Sequence, residues 1–127
     1  MDYRFKKHYT REEARGLLPQ VRHWLEQLDH WRISADKCEH RIGMLEREGA
    51  DVGGGVVNDW VRALAGLREV GLEFQCREIL IKDLERGLID FPAILGGREV
   101  FLCWERGEED IEFWHELDSG YAGRERF

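Results

Sequence analysis

Ala50-Asp51-Val52-Gly53-Gly54-Gly55 is the stretch that decides the fold. Three consecutive glycines lose too much backbone entropy to sit in a helix interior, so the chain must turn there. Before it, Ala14, Leu17, Val21, Trp24, Leu28, Trp31, Ala35, Cys38, Ile42 and Leu45 recur at alternating spacings of three and four. That seven-residue, coiled-coil-like repeat marks a helix packed along its length against another. After it, Val57, Trp60, Leu64, Leu67, Gly71 and Phe74 repeat the pattern, with Ile81 in phase and Glu78 out of phase. The second helix is therefore expected to end between Arg77 and Leu84. The pair reads as an antiparallel helical hairpin over about residues 11–82.

Upstream, Thr10-Arg11-Glu12-Glu13 is a capping box, which places the first helical residue at Arg11. Pro19 removes a hydrogen bond inside this helix, so a kink or restart is expected near Gly16–Pro19. Residues 3–8 suit a short N-terminal strand. The first helix is the longer, so Leu17, Leu18 and Val21 overhang the second and need another cover. The C-terminal segment is the candidate.

That segment changes period. Residues 88–94, 98–105 and 110–117 favour strands and are separated by Gly96-Gly97 and Gly107. They read as a three-stranded antiparallel β-meander over about residues 87–118. Val100, Leu102 and Trp104 alternate with Phe101 and Cys103, so both faces carry large apolar groups and both need covering. The expected fold is α+β, one domain over residues 1–127.

Composition excludes some functions. No run of 18 apolar residues exists to span a membrane. The opening Met1-Asp2-Tyr3-Arg4-Phe5-Lys6-Lys7 lacks the apolar core of a signal peptide, which makes the cytoplasm the expected compartment. A net charge of −7, with Lys6-Lys7-His8 as the longest basic run, argues against a nucleic-acid partner. Cys38, Cys76 and Cys103 are odd in number and far apart, as in a reducing compartment.

Several blocks resemble one family. They are Tyr9-Thr10-x-x-Glu13-Ala14-x-x-Leu17-Leu18-Pro19, then Lys82-Asp83-Leu84-Glu85-Arg86-Gly87-Leu88-Ile89-Asp90-Phe91-Pro92-Ala93, Gly97-Arg98-Glu99-Val100 and Leu102-Cys103-Trp104. The last is Phe113-Trp114-His115-Glu116-Leu117-Asp118-x-Gly120-x-x-Gly123-Arg124. Together they resemble a bacterial family described only as domain of unknown function 2203. The resemblance implies a bacterial protein and supplies no activity.

The chemistry-bearing residues collect near the C-terminus. His115, Glu116 and Asp118 could hold a divalent metal, and Asp90 with Arg124 could hold a small anionic ligand. Regular strand geometry opposes this, because His115 and Glu116 point to opposite faces. The alternative is a strand-end histidine bonded to Asp90 or to a backbone carbonyl. Asp83, Glu85, Arg86 and Asp90 around Gly87 read as turn chemistry. His23, Glu26 and His30 read as a solvated helix flank. Cys103 with His115 is a conceivable nucleophile pair, though a cysteine in an apolar strand is usually a small buried hydrophobe. Leu18, Leu25, Val61 and Leu72 lie beside the seams and widen the apolar stripe beyond what one helix covers. The leading expectation is a non-enzymatic structural or interaction protein acting as a hairpin homodimer. The alternative is a metal- or small-anion-binding protein, an enzyme included, using the C-terminal cluster.

Overall fold

The computed structural model describes residues 2–127. The chain forms two helices, α1 (Arg11–Arg47) and α2 (Gly54–Gln75). Among the described residues five strands follow: β1 (Leu80–Asp83), β2 (Leu88–Leu95), β3 (Arg98–Glu105), β4 (Phe113–Glu116) and β5 (Glu125–Arg126). The strands pair antiparallel in sequence order, giving the expected α+β class. No described helix is long and apolar enough to cross a membrane. The chain divides into two compact units, Trp24–Glu73 and the residues on either side of it.

Within Trp24–Glu73, α1 and α2 form the expected hairpin. Trp60 Nε1 donates to Glu39 Oε1 at 3.1 Å, and Gly66 lies against the Trp31 indole. The turn is set by Gly49, whose φ of 69° closes α1. Gly49 N bonds Glu46 O at 3.1 Å and Ala50 N bonds Leu45 O at 3.0 Å, a Schellman cap.

The face that α2 buries differs from the expectation. Ala63, Gly66 and Val70 are buried, whereas Leu64 is 39% exposed. The reason is steric. Trp31 needs a gap in the opposing helix, and Gly66 supplies it. Of the expected seam Phe74 is buried and Val57, Trp60, Leu67 and Gly71 are half-buried; what periodicity missed is the run of Ala63, Gly66 and Val70. Leu25, expected to widen the exposed stripe, is instead fully buried.

The second unit holds the sheet, the chain up to His23 and the last residues of α2. The capping box forms as expected: Glu13 N bonds Thr10 Oγ1 at 3.1 Å, and Thr10 N bonds Glu13 Oε1 at 3.0 Å. α1 runs through Pro19 without the expected restart. α2 ends earlier than the expected Arg77–Leu84 window. Glu78 takes the left-handed conformation (φ 57°), with Glu78 N on Gln75 O at 3.1 Å and Ile79 N on Phe74 O at 3.0 Å. This is a second Schellman cap without a glycine to advertise it. Ile81 therefore lies on β1, and the hairpin does not reach residue 82.

One sheet face carries Ile89, Phe91, Ala93, Val100, Leu102 and Trp104, all buried. Tyr9 stacks edge-on against Phe91 at 5.6 Å, and the Arg22 guanidinium lies 5.4 Å from the Trp104 ring. Leu18 and Val21 are buried and Leu17 is half-buried, so the overhang is covered as expected; Leu18 does not widen any exposed stripe.

Residues 3–8 form no strand. Carboxylates take their amides instead: Glu99 accepts from Arg4 N at 2.7 Å, Phe5 N at 3.0 Å and His8 Nε2 at 2.7 Å. Glu78 Oε2 accepts from Lys6 N at 2.9 Å. Tyr9 N then bonds Pro92 O at 2.7 Å, beyond the end of β1. In a strand a residue's N and O point the same way, so the missing Pro92 amide falls on this side and costs the β2–β3 ladder nothing.

Candidate functional site

The other sheet face carries the polar core. Gly96 and Gly97 have φ of 59° and 78°, a type I′ turn, and that two-residue turn fixes the β2–β3 register. Asp90 is thereby placed opposite Cys103, and the separate β3–β4 pairing sets Phe101 opposite His115. Asp90 is 1% exposed and His115 2%, the two fully polar residues of a buried set dominated by hydrophobes.

His115 Nε2 sits 3.1 and 3.0 Å from the two Asp90 carboxylate oxygens. Its Nδ1 donates to Glu116 O at 2.7 Å. Both ring nitrogens face acceptors, so the group holds two protons and pairs as an imidazolium. Burial pushes the His115 pKa down, but bonds to Asp90, the Cys103 sulfur and the Glu116 carbonyl outweigh it and raise the pKa from 6.5 to about 10. Asp90, Cys103 and His115 offer ligand atoms within 4.8 Å of one another, and all three are buried.

Beyond Cys103 the cluster continues. Arg124 Nη1 lies 3.9 Å from Cys103 Sγ. Its two terminal nitrogens donate to Glu108 Oε1 and Oε2 at 3.2 and 2.8 Å. The guanidinium centre is 3.7 Å from the Phe113 ring centroid and 4.3 Å from that of Tyr121, in the 3-10 turn Tyr121–Gly123. The C-terminal tail thus covers one end of this face, and Phe5, 5.4 Å from Phe101, covers the other.

The sequence candidates separate accordingly. Asp90 and His115 meet, as the alternative reading had them. Glu116 points away and pairs with Arg98 at 2.7 Å, while the Asp118 side chain is 95% exposed beside Arg4 at 3.5 Å. His115, Glu116 and Asp118 therefore do not converge on one ion, because alternation and the turn after β4 send them apart. Arg124 is near the cluster, but its fork is occupied by Glu108. Around Gly87, Asp83 Oδ1 accepts from Arg86 N at 3.1 Å, as turn chemistry demands, and Asp90 is not part of that set. His23, Glu26 and His30 are all exposed.

Two residues escaped the sequence reading. Glu108 and Glu99 organise the two ends of the polar face, and nothing in their local pattern marks them. Cys103 is expected from the sequence as a small buried hydrophobe or as a nucleophile beside His115; the two-residue turn at Gly96-Gly97, which sets it opposite Asp90, is the signal that could have found its place.

A family model described as an uncharacterized conserved protein, DUF2203, matches residues 7–127. No curated protein and no solved structure gives a significant match.

Proposed function

The chain belongs to the DUF2203 family, and from that premise we propose that it is an interaction protein whose helical hairpin pairs with a second copy of itself. One observation carries this reading. On α2, Val57, Val61, Leu64, Arg68 and Leu72 fall at spacings of four, three, four and four, a single stripe along the helix. Val61 is 53% exposed, Leu64 39% and Leu72 43%, and Val57 is half-buried. Isolated exposed apolar residues are ordinary; a stripe of four on one helix face is a packing surface.

The stripe is suited to itself. Two copies of α2 crossing antiparallel about a two-fold axis near Leu64 and Ala65 set Val57 against Leu72 and Val61 against the aliphatic stem of Arg68. The guanidinium then stays at the wet rim. No side chain in the stripe demands a buried partner charge.

Light scattering over a concentration series tests the proposal, with a dimer mass expected. Val61→Glu should return the monomer mass while leaving the helical circular dichroism unchanged. A wild-type mass that stays monomeric throughout would overturn the reading.

A further inference from the structure

We propose that Asp90, Cys103 and His115 form a site for a borderline divalent ion of the zinc class. The proposal is independent of self-association, since none of the three lies on the hairpin stripe.

The donor set is the first argument. A thiolate, an imidazole nitrogen and a carboxylate oxygen are the ligand types such an ion takes together, with a fourth position left open. They come from three adjacent strands, β2, β3 and β4, whose backbone register fixes where each side chain starts. Exposed acidic clusters gather by chance; a buried carboxylate, thiol and imidazole within 4.8 Å of one another have already lost their water.

The spacing is the second. A tetrahedral ion held at the usual bond lengths puts its ligand atoms about 3.3–3.8 Å apart. His115 Nε2 and the Asp90 oxygens stand at 3.0 and 3.1 Å, so a few tenths of an ångström of widening admits the ion along that edge. Cys103 Sγ, within 4.8 Å of both, closes the third corner by a modest side-chain movement.

Orientation is the third. A ligating histidine ordinarily donates its other ring N–H to a carbonyl or carboxylate, which fixes the tautomer. His115 Nδ1 already does so, to Glu116 O at 2.7 Å, leaving Nε2 as the ligand atom.

Charge closes the argument. A divalent cation with one thiolate and one carboxylate sums to zero, and Arg124 beside Cys103 is itself neutralised by Glu108 at 2.8 Å. Binding replaces the Nε2 proton of His115 and the Cys103 thiol proton, so two protons leave for each ion bound. The metal-free protein keeps the Asp90–His115 ion pair in the same place.

The test uses Co²⁺ as the probe, on full-length Cys38→Ser/Cys76→Ser protein purified without an affinity tag. Cys76 is exposed and Cys38 half-buried, so their removal silences competing thiols. Refolding in Co²⁺ admits the ion to a buried site. The expected result is one equivalent bound with release of two protons and a thiolate-to-cobalt charge-transfer band, the Co²⁺ then being displaced by Zn²⁺ with no further proton release. Adding Cys103→Ser should abolish the band, and so should His115→Gln. A second measurement guards against variants that fail to fold: Zn²⁺ should raise the thermal midpoint of the parent and not that of the variants. No Co²⁺ band and no Zn²⁺-dependent midpoint in the folded parent would overturn the site. So would a band that survives loss of Cys103.

Discussion

Gly66 faces the indole of Trp31 so closely that a Cβ at this position would lie 2.4 Å from Cδ2 and Cε2 of the ring. Both residues belong to the Trp24–Glu73 hairpin, and neither can be enlarged without separating its helices. Two effects of Gly66→Ala oppose each other. Alanine gains about 1 kcal/mol of helix propensity over glycine. Overpacking a rigid ring costs about 1–3 kcal/mol, and an approach of 2.4 Å belongs at the upper end. The net expectation is destabilisation, read as a lower urea midpoint with an unchanged slope. Trp31→Leu combined with Gly66→Ala should recover part of the loss. A more stable single variant would show that the helices are free to move apart.

The α2 seam makes a paired prediction. Ala63 is fully buried and Leu64 is 39% exposed, although they are neighbours. Ala63→Asp buries an unpaired carboxylate and should cost about 3 kcal/mol or more. Leu64→Asp should change the stability of the single chain by only about 0.5 kcal/mol. Thermal melts under monomer conditions check both, and the reverse order would put the seam back on Leu64.

This pair of residues shows how far the sequence could be read. The hairpin, its capping box and the change to strand periodicity were all legible, because each leaves a local signature: spacing, Thr10 with Glu13, glycine turns. The face of α2 was not, since a seam of Ala63 and Gly66 carries no hydrophobic signal. Nor was the end of α2, where Glu78 takes a conformation that glycine normally marks. At the candidate site, Asp90 opposite Cys103 is set by the length of one turn, a consequence the residue pattern alone did not bring out. The convergence of His115 depended on the longer β3–β4 connection, which has no fixed register rule, whereas Glu116 leaves the cluster by the strand alternation that already opposed it.

Glu99 predicts an acid-sensitive N-terminal arm. Its burial pushes the pKa up, but bonds from His8, Arg4 N and Phe5 N outweigh that and hold it below the ordinary 4.5. A lowered carboxyl pKa contributes stability that is complete above the unfolded value and lost as pH falls through the folded one. The arm should therefore stay docked at neutral pH and release below about pH 4.5. Hydrogen exchange at the Arg4 and Phe5 amides reads this directly. Glu99→Gln should exchange fast at every pH; protection that persists in this variant would mean the arm is held elsewhere.

Arg124 should not tolerate lysine. Its side chain is 10% exposed, donates twice to Glu108 and stacks on Phe113 and Tyr121. Lysine keeps the charge and loses the fork and the planar stack. The expected cost is about 1–3 kcal/mol, accompanied by faster proteolysis of the tail after Glu116. A neutral outcome would show that the tail is held by the β4–β5 pairing and Tyr121 without this fork.

The sharpest energetic test concerns Asp90 and His115 in metal-stripped protein. His115→Ala leaves a carboxylate that is 1% exposed facing a cavity beside Phe101, whose ring centroid lies 5.4 Å from the imidazole. Removing one partner of a buried ion pair costs about 3–5 kcal/mol, because the survivor has neither water nor counter-ion. Replacing both partners with apolar groups of similar size removes that penalty. Asp90→Leu with His115→Phe should therefore be the more stable of the two variants, despite carrying twice the substitution. The comparison separates a pair kept for stability from one kept for chemistry. If the apolar double variant matches the wild type in urea, the ion pair adds little net stability, and what it supplies is a polarised, correctly oriented imidazole beside Cys103. If the double variant is as weak as His115→Ala, this sheet face depends on the pair for its packing.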